Sequence, residues 1–281
     1  MPNQAPVTNL VAIQMCSVPN VSDNIKVLEI QLQKLQVACP TLVVLPECFA
    51  CFGASDKALL AIAETPGDGP IQTQLQVLAK QYGIWLVGGS IPLKSQTENK
   101  FTASCLLINA QGDIVEEYQK IHLFDVQVAD HTGNYNESRH TQSGQHIVVA
   151  DTPFGTLGLA VCYDLRFPGL FQAMSQLKQL DVIALPAAFT YQTGQAHWRV
   201  LLAARAIENQ CYLVAANQAG VHANKRQTYG HSCIMSPWGE TLVELSHECG
   251  LIQSQLLSKK LIEIRQNMPI QQHNKFRSRL V

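Results

Sequence analysis

The sequence has few charged residues for its length. Only 15% of its 281 residues are Asp, Glu, Lys or Arg, and 20 basic against 21 acidic residues leave a formal net charge of −1. Without a basic excess there is no electrostatic basis for binding a nucleic acid, and so few charges make long solvated tails improbable. We therefore expect a small-molecule partner, and neither nucleic acid nor another polyanion.

Long apolar runs are also missing. No stretch reaches the roughly 18 consecutive apolar residues that a membrane-spanning helix needs, and the first residues lack the basic segment and apolar stretch of a secretory signal. These two absences predict a cytoplasmic protein that does not contact a membrane.

Cysteines are present but do not form a metal-binding pattern. The nine cysteines are spread singly, mostly within apolar runs, as reduced and buried thiols are. The one Cys-x-x-Cys, from Cys48 to Cys51, has no second pair at zinc-finger spacing and no nearby histidine. We expect no metal site.

The 47% of hydrophobic residues that the chain does have are enough for a substantial core. Their periodicity predicts strands that alternate with helices and, in places, form hairpins, which indicates mixed sheets covered by helices. No low-complexity linker interrupts the chain, so we expect one domain over residues 1–281. In chain order, the predicted strands are 10–15, 42–45, 84–89, 101–109, 114–119, 147–150, 156–161, 181–185, 211–217, 231–236 and 241–245, and the predicted helices are one capped by Ser22 or Asp23, then 73–82, 167–177, 196–209 and 259–266.

Three chemically active side chains stand at the ends of predicted strands. Cys162 ends the run Gly-Leu-Ala-Val-Cys, Glu47 ends Val-Val-Leu-Pro-Glu, and Lys120 ends a third run. Since side chains at the carboxyl ends of strands project into the crevice above a sheet, these three could meet there as nucleophile, base and cation. Taken separately, Glu47 could equally be a solvated side chain after a strand. For Lys120 that interpretation is the stronger one, because lysines at strand ends are common and usually solvated.

The chemistry of a thiol explains why the three would be needed together. A free cysteine has a pKa of roughly 8.5, so a hydrolytic cysteine needs a neighbour that accepts its proton. Histidine is the usual partner, but His122 could point away from the crevice, so Glu47 is the predicted base. Lys120 and the backbone N–H of Tyr163 would stabilise the oxyanion of a tetrahedral intermediate.

These motifs resemble the Glu-Lys-Cys triad of the nitrilase superfamily of carbon–nitrogen hydrolases. Lys120 follows Glu47 by 73 residues and Cys162 follows Lys120 by 42, and further similarity begins at His197 and at Tyr229. The resemblance implies an α/β fold, a four-layer α-β-β-α sandwich of mixed sheets, that pairs through its helical face into a homodimer or higher homo-oligomer. It also implies an amidase that forms a thioester on cysteine and needs no cofactor.

The resemblance also assigns residues that the sequence alone leaves ambiguous. Glu137 lies among Gly and Asn and would otherwise be taken for an exposed turn residue; the family places a second pocket glutamate there, which would orient Lys120 and the substrate amide. An ion pair between Asp164 and Arg166 is expected to shape the turn that carries the nucleophile. The candidate substrate-binding residues are Tyr135, Tyr163, Arg166, Phe189, Thr190 and His197, the last near the start of a helix.

Within the superfamily, the sequence is most similar to the amidases that hydrolyse deaminated glutathione to 2-oxoglutarate and cysteinylglycine. The alternative is the ω-amidase branch, which acts on 2-oxoglutaramate and 2-oxosuccinamate. A different class of function, a catalytically idle member that serves as a binding or scaffold protein, is also open. The intact set of Glu47, Lys120 and Cys162 argues against that third reading.

Overall fold

Two β-sheets face each other across the largest hydrophobic core of the protein. The computed structural model describes residues 7–130 and 132–280. Within these residues the strands are Thr8–Gln14 (β1), Thr41–Val44 (β2), Trp85–Val87 (β3), Ile91–Lys94 (β4), Phe101–Ile108 (β5), Ile114–Gln119 (β6), Asp125–Gln127 (β7), Asn134–Asn136 (β8), Thr141–Gln142 (β9), Val149–Thr152 (β10), Gly155–Leu159 (β11), Val182–Ala187 (β12), Tyr212–Asn217 (β13), Ala219–Val221 (β14), Gln227–Tyr229 (β15), Cys233–Met235 (β16), Thr241–Glu244 (β17) and Gly250–Leu256 (β18).

Helices connect and cover these strands. They are Val21–Leu32 (α1), Asp56–Ala61 (α2), Pro70–Tyr82 (α3), Pro168–Leu177 (α4), Tyr191–Asn209 (α5), Ser258–Asn267 (α6) and Ile270–His273 (α7), with short 3₁₀ helices at Glu137–Arg139 and Cys162–Arg166. Among the described residues, no helix combines the length and the apolar character that crossing a bilayer requires.

Both sheets are mixed. The larger has the order β18-β1-β2-β3-β5-β4, with β6 and β9 also paired to β5, and the smaller has the order β10-β11-β12-β13-β16-β17. Strands β1, β2 and β3 run parallel, as do β11, β12 and β13, whereas the outer strands β18, β10 and β17 are antiparallel to their neighbours. Each sheet thus has parallel strands at its centre and antiparallel pairs on either side.

The alternation of side chains along β1 produces the layers. Leu10 and Ala12 belong to the core shared with the smaller sheet, whereas Val11 and Ile13 pack in a second core with α1 and α3. Since successive residues of a strand point to opposite faces, one strand contributes to both cores. On the far side, α4 and α5 cover the smaller sheet with side chains that include Phe171 and Trp198. The predicted α-β-β-α sandwich is confirmed.

Several predicted boundaries were wrong for local reasons. Helix α1 begins at Val21, because the side chain of Asn20, rather than Ser22 or Asp23, caps it by accepting a hydrogen bond from the Asp23 N–H at 3.1 Å. Helix α5 begins at Tyr191 and not near residue 196. Strand β18 was missed altogether, although it pairs along the full length of β1.

Candidate active site

Lys120 lies between two carboxylates. Its Nζ donates hydrogen bonds to Glu47 Oε1 at 2.8 Å and to Glu137 Oε1 and Oε2 at 3.0 and 2.8 Å. Lys120 is 2% exposed and Glu47 is 6% exposed, while the backbone N–H of Phe124 donates to Glu137 Oε2 at 2.7 Å. Lys120 directly follows β6 and Glu47 follows β2, as the strand-end argument predicts. A cation and two carboxylates therefore share one enclosed position.

The loop that carries Glu47 is held from several sides. The side chain of Gln218 donates to the Glu47 carbonyl at 3.0 Å, and the N–H of Cys48 donates to Ser90 Oγ at 2.9 Å. Gly89 adopts a φ of +62°, and a Cβ at this position would collide with the Pro46 carbonyl. These contacts fix Glu47 against the larger sheet.

Cys162 is displayed on a strained turn after β11. It begins a 3₁₀ helix with a φ of +48°, in the left-handed region that residues with a Cβ rarely adopt. Its thiol lines the same cavity as Glu47, and both the Glu47 side chain and the backbone of Ala188 influence its pKa. The smaller sheet thus presents the sulfur to the carboxylate that the larger sheet holds.

Asp164 ties the two sheets together at this point. This fully buried carboxylate accepts hydrogen bonds from the Tyr118 hydroxyl at 2.7 Å, the His122 N–H at 3.1 Å and the Val161 N–H at 2.8 Å, and its Oδ1 lies 2.7 Å from His122 Nδ1. Tyr118 and His122 flank Lys120 in the sequence. Asp164 therefore sets the position of the lysine relative to the cysteine.

The predicted ion pair between Asp164 and Arg166 was wrong. The oxygens of Asp164 are taken up by Tyr118, His122 and Val161. Arg166 instead donates to His197 Nδ1 at 3.1 Å. The reason is that a 3₁₀ turn points these two side chains in different directions.

The electrostatics of the cluster favour a protonated thiol beside an ammonium ion. Burial raises the pKa of Cys162 well above its ordinary value, the Glu47 carboxylate raises it further, and Lys120 opposes the shift. Burial alone would lower the pKa of Lys120, but Glu137 and Glu47 outweigh it and the lysine pKa is raised. Burial likewise raises the pKa of Glu137, against the influence of Lys120. A thiol in this state could act as a nucleophile only with a base that takes its proton.

A cavity of about 260 Å³ opens onto these residues. Tyr135, Tyr163, Arg166, Phe189 and Thr190, all predicted to bind substrate, line it together with Glu47, Lys120, Glu137 and Cys162. His197 differs from the prediction. It is not among the lining residues, because α5 starts early enough to place it in the second turn, where it supports Arg166.

Other lining residues carry no signal in the sequence. Cys48 and Arg226 lie in the wall of the cavity, Cys48 next to Glu47 and Arg226 on the loop between β14 and β15. Burial raises the pKa of the Cys48 thiol to about 12. Only the charge of Arg226 could have suggested a role, and nothing in its neighbourhood predicted its position. In the described ranges, no group of three or more His, Cys, Asp or Glu side chains is arranged to hold a metal ion.

Comparison with known proteins identifies the family. The carbon–nitrogen hydrolase family model matches residues 10–266. The chain belongs to the carbon–nitrogen hydrolase family. As a member of this family it is a hydrolase that acts on carbon–nitrogen bonds, as predicted, and the resemblance to the nitrilase superfamily is confirmed.

Individual relatives agree with this membership. The deaminated glutathione amidase of Yersinia enterocolitica is 42% identical over 274 residues, which cover 97% of this chain and 95% of that relative. The crystal structure of the C. elegans NitFhit protein matches with a TM-score of 0.87 and 32% identity, over 96% of this chain and 66% of that one. That of Saccharomyces cerevisiae Nit3, a member of branch 10 of the nitrilase superfamily, has a TM-score of 0.85 and 26% identity over 96% and 97% of the two chains.

Proposed function

We propose that this carbon–nitrogen hydrolase is an amidase that cleaves deaminated glutathione into 2-oxoglutarate and cysteinylglycine, with Cys162 as the nucleophile. The observation that carries the mechanism is the cluster in which Lys120 bonds both Glu47 and Glu137 beside the Cys162 thiol. The substrate is supported by the 42% identical relative that bears the name deaminated glutathione amidase.

The first half of the reaction forms a thioester. Glu47 takes the thiol proton while Cys162 Sγ attacks the amide carbon, which matches a thiol whose pKa burial raises. The Lys120 ammonium and the Tyr163 N–H stabilise the oxyanion. Glu47 then passes its proton to the amide nitrogen, the C–N bond breaks, and the amine leaves.

The second half releases the acid. Glu47 takes a proton from water, the water oxygen attacks the thioester carbon, and the C–S bond breaks. The proton held by Glu47 returns to the sulfur, which restores the free enzyme. Throughout, Glu137 keeps Lys120 directed at the reacting oxygen through its two hydrogen bonds.

The charge of the cavity supports an anionic substrate. Its charged lining residues are three cations, Lys120, Arg166 and Arg226, and two carboxylates, Glu47 and Glu137, which leaves one positive charge in excess. Arg166 is close to the nucleophile, with its guanidinium 5.8 Å from the centre of the Tyr163 ring. It therefore suits the carboxylate of the 2-oxo acid half of the substrate.

The test is a comparison of kcat/KM for deaminated glutathione, 2-oxoglutaramate and simple nitriles, since specificity is the ratio of these values. We expect deaminated glutathione to be preferred, and Cys162→Ala to abolish its hydrolysis while leaving thermal unfolding close to wild type. A clear preference for 2-oxoglutaramate would assign the enzyme to the ω-amidases and keep the mechanism. Hydrolysis of no amide at all, with cellular function retained in Cys162→Ala, would favour a scaffold.

We also propose a single domain that works in the cytoplasm as a homodimer. Its nine cysteines are all free, which suits a reducing compartment. Apolar side chains are exposed on α4, α5 and the nearby loops, among them Leu177 at 67%, Val200 at 70% and Trp238 at 53%. Such side chains support pairing through the helical face over the smaller sheet.

A further inference from the structure

Arg226 lies against two aromatic rings in the wall of the active-site cavity. The carbon at the centre of its guanidinium is 5.0 Å from the centroid of the Phe52 ring and 4.8 Å from that of Tyr135. Contacts of this kind hold a guanidinium by its flat face and leave its N–H groups, which lie in the plane, for hydrogen bonds. The rings thus orient Arg226 without using its donors.

Few of the N–H donors of Arg226 have an acceptor within the described part of the chain. One amino nitrogen is 3.4 Å from the Ala188 carbonyl, and the buried Nε has no hydrogen-bond partner among residues 7–130 and 132–280. A guanidinium in a partly buried wall is costly when its donors lack acceptors, because desolvation is not repaid. A ligand carboxylate that binds the amino groups from the cavity would give the guanidinium a charged acceptor.

Arg226 lies in the wall of two adjoining cavities. Besides the active-site cavity it lines an outer depression of about 360 Å³, together with residues such as Thr132, Gln192 and Lys225. Arg166, by contrast, contacts Tyr163 and Phe189 next to the nucleophile turn and is absent from the outer depression. Of the two arginines that line the active-site cavity, only Arg226 therefore also faces the outer depression, into which a part of the substrate beyond the amide could extend.

We propose that Arg226 binds a carboxylate carried by the leaving amine, and so selects amides whose leaving group is anionic. The inference rests on the proposed function and deepens it. Deaminated glutathione has one carboxylate on its 2-oxo acid half and another on its terminal glycine, and each would meet one arginine. 2-Oxoglutaramate releases ammonia and has nothing to offer Arg226.

The experiment uses two substrates that differ only at the terminal glycine. One is deaminated glutathione, and the other is the same molecule with the glycine carboxylate replaced by a carboxamide. The readout is the ratio of kcat/KM for the acid to kcat/KM for the amide. A charge-assisted, two-point contact predicts a wild-type ratio on the order of 10 to 100, and a ratio near 1 in Arg226→Gln.

Two further variants test whether Arg226 binds the carboxylate directly or only adds to the positive potential around the cavity. Lys225→Gln removes a neighbouring exposed cation that also lines the outer depression, and should change the ratio less than twofold. Arg226→Lys keeps the charge but loses the planar fork, and should recover only part of the preference. Thermal unfolding of each variant checks that the chain is folded.

The outcomes separate this inference from the proposed function. A wild-type enzyme that hydrolyses neither substrate overturns both. A wild type that hydrolyses both at equal rates, or an Arg226→Gln variant that keeps the preference, overturns only the role of Arg226. Equal effects of Lys225→Gln and Arg226→Gln would replace the specific contact with a general attraction and would also overturn the inference.

Discussion

The charged groups of Lys120, Glu47 and Glu137 lie together in a largely buried site. The lysine side chain is 2% exposed, that of Glu47 is 7% exposed and that of Glu137 is 22% exposed. Taking charges out of water is expensive, and the cost is met only while every partner is present. The cluster thus contributes to stability as a unit, and removal of its centre affects the fold as well as the chemistry.

We expect Lys120→Met to lose hydrolysis and to lower the free energy of unfolding by about 3 kcal/mol, because it leaves Glu47 and Glu137 buried without a cation. Urea unfolding measures the loss. The double variant Lys120→Met/Glu137→Gln, which removes one of the stranded charges, should be more stable than the single variant. If Lys120→Met unfolds at the wild-type urea concentration, the three groups are not coupled as described.

At this scale, the sequence predicted best those residues that stand at strand ends. Glu47, Lys120 and Cys162 follow β2, β6 and β11, so a local pattern was enough to bring them together as candidates. Glu137 needed the family resemblance, because Gly and Asn around it indicate a solvated turn. Arg226 could not have been found, since its environment comes from Phe52 and Tyr135, which are remote in the chain.

The loop between β14 and β15, which carries Arg226, is fastened by His222. The imidazole Nδ1 donates to the Ser17 carbonyl at 3.1 Å, and its Nε2 accepts from the Thr228 hydroxyl at 2.7 Å. The carbonyl can only accept, so Nδ1 carries a proton, and in the neutral ring Nε2 is then the acceptor. Burial, together with the charge of Arg226 and against the hydrogen bond to Ser17, lowers the pKa of His222 from 6.5 to about 4.

This neutral histidine predicts a loss of stability in mild acid. Since the folded pKa of His222 is depressed, the unfolded chain binds the proton first, and stability present above pH 6.5 is lost as pH falls toward about 4. At pH 5 the loss amounts to about 2 kcal/mol. Urea unfolding at pH 7.5 and pH 5 measures it.

The variant His222→Gln has no imidazole to titrate, so its free energy of unfolding should fall less between the two pH values. His146→Gln, at an exposed position, provides the control and should keep the wild-type dependence. An identical pH dependence in wild type and His222→Gln would rule out the histidine as the source.

Elements whose formation depends on distant partners were the ones that the sequence did not reveal. The short strands β14 and β15 pair with each other, and Thr228 of β15 also forms a bridge with the distant Thr190. Strand β18 pairs with β1, with Leu256 opposite Thr8. The start of α1 was predicted wrongly for a different reason. Asn20, Ser22 and Asp23 lie close together in the sequence, and each is of a type that can cap a helix. Local periodicity cannot choose among such candidates or report a remote pairing.

On the scale of the whole molecule, the helical layer over the smaller sheet exposes several large apolar side chains. On the layer over the smaller sheet, Val200 of α5 is 70% exposed and Leu177 of α4 is 67% exposed, and Phe276, which contacts α4 through Gln176, is 81% exposed. Large apolar side chains exposed together on one layer are typical of a surface that another protein covers.

We therefore expect the wild-type protein to sediment as a dimer, and Val200→Asp to shift it toward the monomer, because a carboxylate would be buried in the interface without a partner. Sedimentation velocity at several protein concentrations measures the change. Ile30→Asp, at a 53% exposed position of α1 on the opposite layer, should remain dimeric. A monomeric wild type, or equal effects of the two substitutions, would contradict pairing through this face.

The proposed nucleophile and its proposed base follow strands of different sheets, Cys162 of the smaller and Glu47 of the larger. Catalytic competence accordingly reports whether the two halves of the sandwich have docked. During refolding, thioester formation should return only with the last step that joins them, and neither half of the chain alone could be acylated by the substrate.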